Sequence, residues 1–66
     1  MSPKYSHIRV QLTGEDDSAP GIVMRCRQAA QRAGLPQSEC NAFMRDAFSG
    51  DYDNVISTAM AWFTCD

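Results

Sequence analysis

The alternation Ile8-Arg9-Val10-Gln11-Leu12 most constrains what this chain can fold into, because it has the period of a half-buried strand and precedes an otherwise helical sequence. A strand by itself leaves its backbone donors and acceptors without partners. It must therefore find an edge. The run Phe63-Thr64-Cys65-Asp66 can fray from the last helix into a short strand and supply one. The same strand of a second copy is the alternative, which would make the protein a weak homodimer instead of a monomer. Pairing with the tail is the expected solution.

Between strand and tail, the sequence predicts three helices. Thr13-Gly14-Glu15-Asp16-Asp17 reads as a polar turn, and Asp17 or Ser18 can cap the helix that follows. Pro20 falls in its first turn, where a missing N–H costs nothing. The first helix is expected over about Ala19–Ala33, with Ile22, Cys26, Ala29/Ala30 and Ala33 at helical spacing and Val23 widening the stripe. Alanines on that inner face imply close approach of a neighbour. Arg25, Gln28 and Arg32 form a second, polar face. Gly34-Leu35-Pro36 is a stop signal, with Gly34 left-handed and Leu35 packing back. A second helix is expected over about Pro36–Phe48, carrying Cys40, Phe43, Met44 and Ala47 on one face. Ser49-Gly50 ends it. Asp51 caps a third helix, about Tyr52–Phe63, striped by Tyr52, Val55, Ile56, Ala59, Met60 and Phe63. The expected fold is one small α+β domain over residues 1–66, β-α-α-α-(β), with residues 1–6 as a loose leader.

Size and composition narrow the function classes. A chain of 66 residues buries only about 60% of its unfolded surface, which leaves little core to wall a catalytic cleft. With 44% apolar and 21% charged residues, intrinsic disorder is not expected. Cys26, Cys40 and Cys65 are odd in number and widely spaced, so they read as free thiols in a reducing compartment. No apolar leader or membrane-length run is present, and a cytoplasmic location with no membrane partner is expected. A net charge of −2 argues against direct nucleic-acid binding.

The candidate chemistries fail on spacing. An EF-hand loop starting at Asp51 would need an oxygen ligand, Gly and Glu where Val55, Ile56 and Trp62 stand. His7 and the three cysteines lack the close pairs of a structural zinc site, and no nucleophile motif is present. Neither an enzyme nor a cofactor is expected. The acidic clusters Glu15-Asp16-Asp17 and Asp51/Asp53 are more informative. Capping and the helix dipole account for Asp17 and Asp51 and for part of the clustering, but not for three consecutive acids. If helices one and three start at the same end of the bundle, Glu15, Asp16, Asp17, Asp51 and Asp53 form one face suited to a basic groove. Arg25, Gln28 and Arg32 offer the opposing possibility of phosphate contact. Tyr52 is expected in the core with its hydroxyl at the rim. Trp62 lies off the stripe of helix three and, if exposed, is a partner-contact residue.

The run Ile8-Arg9-Val10-Gln11-Leu12-Thr13-Gly14-Glu15-Asp16, with Arg25, Ala33-Gly34, Ser49-Gly50-Asp51-Tyr52-Asp53 and Met60-Ala61-Trp62, resembles a group of small phage- and prophage-encoded proteins. That group shares an LTGED…SGDYD…MxW pattern and is similar to a small inhibitor of type I-C CRISPR–Cas systems. The resemblance covers nearly the whole chain and includes no catalytic motif. It implies an anti-CRISPR function in the host bacterial cytoplasm: binding a crRNA-guided surveillance complex on the basic surface that engages target DNA. The residues it implies are Glu15, Asp16, Asp51 and Asp53. Two other readings are an accessory protein that binds a host protein through an apolar patch near Trp62, and a nucleic-acid binder using helix one.

Overall fold

The computed structural model describes residues 2–12 and 18–65. Strand β1 (Tyr5–Val10) is followed by helices α1 (Ala19–Arg32), α2 (Gln37–Ala47) and α3 (Tyr52–Trp62), and then by strand β2 (Phe63–Cys65). The order is the expected β-α-α-α-β, and the lone strand is completed by the tail. The two strands run parallel, pairing Tyr5 with Phe63, Arg9 with Thr64 and Val10 with Cys65, with an irregularity between Tyr5 and Arg9. Parallel strands need a long crossover, and here the three helices together are that crossover. The Thr64 hydroxyl donates to the Ser6 carbonyl at 2.6 Å, and the Lys4 amide to the Ala61 carbonyl at 2.9 Å. The ordered chain thus starts earlier than the loose leader expected over 1–6. Tyr5 and Ser6 belong to the strand because β2 gives them partners.

Side-chain caps start α1 and α3, and a glycine ends α1. The Ser18 hydroxyl accepts from the Gly21 amide at 3.3 Å and caps α1, with Pro20 in the first turn. At the other end Gly34 takes φ +89°, and the Leu35 and Gly34 amides donate to the Ala30 and Gln31 carbonyls. These two bonds are the paired closure of a Schellman cap. Asp51 caps α3 by accepting from the Asn54 amide at 3.1 Å.

The core is one cluster. Ile8 and Val10 face Ile22, Val23, Cys26 and Ala30 of α1, Cys40, Phe43 and Ala47 of α2, and Val55, Ala59, Trp62 and Phe63. Cys26 is fully buried, and burial pushes its thiol up to about 12, so it packs as a small neutral hydrophobe.

Helix α3 is rotated relative to the expected stripe. Its buried face is Val55, Thr58, Ala59 and Trp62, while Tyr52 and Met60 are exposed and Phe63 belongs to β2. Trp62 drives the rotation because it is the largest apolar side chain on the helix and has an aromatic pocket to fill. Its ring lies 5.6 Å from that of Phe43 and 5.9 Å from that of Tyr5, centroid to centroid. The Lys4 ammonium sits 4.3 Å from its ring centroid on the outer side.

A polar latch closes this aromatic cluster. The Tyr5 hydroxyl donates to Glu39 Oε1, and Lys4 Nζ reaches the same oxygen at 3.0 Å. The Tyr5 and Lys4 hydrogen bonds hold the Glu39 carboxyl below its ordinary value of 4.5. The same bonds to Glu39 raise Lys4 above 10.5 and Tyr5 above 10.0. A depressed carboxyl contributes stability above its unfolded value and loses it as pH falls through its folded value. A raised lysine or tyrosine contributes below its unfolded value and loses the contribution as pH rises through its folded value. The fold should therefore show a stability plateau between these limits and weaken outside them. Thermal melts followed by the emission of Trp62, the single tryptophan, measure this. Glu39→Gln should flatten the acid limb, and an acid limb unchanged in that variant would show the latch to be inert.

Candidate functional site

The turn between α2 and α3 is held by the side chains of Asn54 and Ser49. Asn54 Nδ2 donates to the carbonyls of Asp46 at 2.8 Å and Ala47 at 3.2 Å, and contacts Ser49 Oγ at 3.4 Å. It thereby occupies carbonyls at the end of α2 that have no partner within their own helix. The Ser49 hydroxyl donates to the Asp46 carbonyl at 2.7 Å. A Cβ on Gly50 would stand 2.9 Å from Asn54 Cβ, so only glycine lets the two elements approach this closely. The sequence Ser49-Gly50-Asp51 with Asn54 is thus a fixed corner.

The corner presents Asp46, Asp51 and Asp53, all exposed. Among the described residues no ion pair joins any of the three to a cation. Asp51 also serves α3 as its cap, and Asp53 lies in the first turn, where the helix dipole favours negative charge. A shallow depression of about 320 Å³ beside them is lined by Asp46, Ser49, Asn54, Ser57, Thr58, Ala61 and Trp62. Asp46 and Asn54 were not singled out by sequence reasoning. Their signal was position: each stands within five residues of Ser49-Gly50, on either side of it.

The other expected site residues divide. Glu15, Asp16 and Asp17, and with them their convergence on Asp51 and Asp53, lie outside the described residues. Trp62 is 8% exposed, so it is a core residue and not an exposed contact, for the packing reason given above. Exposed large apolar side chains are instead Met24, Phe48, Tyr52 and Met60. Tyr52, Ile56 and Met60 form an i, i+4, i+8 ridge on α3, and Met60 lines a groove of about 440 Å³ with Ser2, Pro3, Ser57 and Ala61. The arginine face of α1 is narrower than expected, because Arg25 Nη1 donates to the Gln11 carbonyl at 3.1 Å.

No group of three or more His, Cys, Asp or Glu side chains that could hold a metal ion occurs among the described residues. No helix among them is long and apolar enough to cross a membrane. No family model, curated protein or solved structure matches the chain.

Proposed function

We propose that this protein is a contact inhibitor of the anti-CRISPR type, which sets carboxylates against the basic, DNA-engaging surface of a type I surveillance complex in the host cytoplasm. The observation that supports the reading is the corner at Ser49–Asn54, where Asp51 and Asp53 stand exposed on a braced turn with no cation paired to them among the described residues. Carboxylates held in this way approach a lysine- or arginine-lined groove already arranged, and their charge steers the encounter. The particular target rests on the resemblance of Ile8–Asp16, Ser49–Asp53 and Met60–Trp62 to the phage group. Within that pattern, Ser49-Gly50-Asp51 builds the corner, while Trp62 builds the core. The reading involves no catalysis and no cofactor.

The test is a pull-down and a target-DNA binding assay with a purified type I-C complex, comparing the parent with an Asp51→Asn/Asp53→Asn double variant. At about 1 kcal/mol per carboxylate contact, the double variant should bind about tenfold to thirtyfold more weakly. The loss should appear mainly in the association rate and shrink as salt rises. Undiminished inhibition would refute the reading. The exposed Tyr52 and Met60, with the half-buried Ile56 between them, support a second reading, an apolar contact with a different host protein. Loss of function in Met60→Lys, with the acid variant still active, would select it.

A further inference from the structure

A second concave surface lies on the opposite chemical side of the molecule. His7 and Arg9 alternate on β1 and are both exposed, while Ile8 between them is buried. They face Ala29, Arg32 and Ala33 at the C-terminal end of α1 across a groove of about 330 Å³. The groove exists because Ala29 and Ala33, four residues apart on one face of the helix, leave room that longer side chains would fill. Two guanidinium groups and an imidazole line it, and none of the described residues that line it is acidic. Arg32 is exposed and makes no hydrogen bond or ion pair among the described residues.

The surrounding charge has the same sense. Arg9, Arg25, Arg27 and Arg32 lie on β1 and α1, whereas Glu39, Asp46, Asp51 and Asp53 lie on α2 and α3, with Arg45 the one described cation among them. Among the described residues, cations thus gather on β1 and α1 and acids on the α2–α3 side.

We propose that the groove between β1 and α1 binds a phosphate group, with Arg9 and Arg32 as charged donors and His7 as a third polar contact. Guanidinium forks match the paired oxygens of a phosphate, and a concave setting lets two of them reach one anion. The alanine floor leaves space for a sugar or a neighbouring phosphate. Free phosphate and the backbone of a single-stranded nucleic acid share this chemistry.

Amide NMR titrations of the full chain in chloride buffer with inorganic phosphate, pyrophosphate and a short oligothymidylate test the proposal. Saturable shifts should concentrate at His7, Arg9, Ala29, Arg32 and Ala33. Arg32→Gln should weaken binding about tenfold, the loss of one charged hydrogen-bonding partner, while Arg45→Gln on α2 should leave it unchanged. Melting curves of both variants should match the parent, since both side chains are exposed. If the oligonucleotide binds more tightly than pyrophosphate, its affinity should fall with salt at a logarithmic slope of about −1.4 for two contacts, and the source is nucleic acid. Equal or tighter binding of pyrophosphate assigns the groove to small anions. The proposal is overturned if shifts are non-saturable or spread over all arginines alike, or if Arg32→Gln binds as the parent does. The Asp51→Asn/Asp53→Asn variant should retain phosphate binding, so failure of the inhibitor reading leaves this result standing.

Discussion

Phe43→Ala is expected to leave the chain without a stable native state at room temperature. Phe43 is 1% exposed and lies among the largest fully buried side chains. Its ring centroid is 5.1 Å from that of Phe63 and 5.6 Å from that of Trp62, so it joins α2 to both α3 and β2. Truncating a buried phenylalanine costs about 3–5 kcal/mol, from lost transfer energy plus the cavity left behind. A domain of this length has only about 3–10 kcal/mol in total. Loss of cooperative melting, with Trp62 emission shifted towards that of solvated indole, is the expected result. A cooperative melt within a few degrees of the parent would show that the aromatic cluster is not the keystone of the fold.

Overfilling should do damage of a different kind. Ala30 is 1% exposed on the inner face of α1, and its carbonyl also accepts from the Leu35 amide in the helix stop. Ala30→Leu inserts a branched side chain where the backbones of neighbouring elements stand close. The expected destabilisation is about 1–3 kcal/mol, from displaced backbone and strained rotamers. Chemical denaturation should show a lower midpoint with a cooperative transition retained, in contrast to Phe43→Ala. A midpoint equal to or above that of the parent would mean that space remains beside Ala30.

Much of this architecture was legible in the residues. The alternation around Ile8 and Val10, together with the rule that backbone groups must pair, called for a partner strand, and of the tail and a second copy the tail at Phe63–Cys65 supplies it. Gly34 and Ser49-Gly50 marked the helix ends, because each has a backbone reason to be there. Alanines on the inner face of α1 signalled close packing. The rotation of α3 was not legible. Tyr52, Met60 and Trp62 all qualify as apolar by type, and choosing among them needs the pocket formed by Phe43, Tyr5 and Lys4 from two other places in the chain. Glu39 was missed for a similar reason. A glutamate in the first turn of a helix is ordinary, and only the return of β1 past α2 gives it Tyr5 and Lys4. At the site, Asp51 and Asp53 were found from their place after Gly50, whereas the amide of Asn54 became informative only once its carbonyl partners were known.

The pairing of β1 with β2 also bears on how the protein is made. Thr64 bonds to Ser6 across 58 positions, so the first strand has no partner until residues 63–65 have been synthesised. While residues 63–65 remain inside the ribosomal tunnel, Ile8 and Val10 have no mate, and the pocket for Trp62 lacks its lid. The domain therefore folds as one unit once residues 63–65 have emerged, and a message stopped before them yields no completed fold.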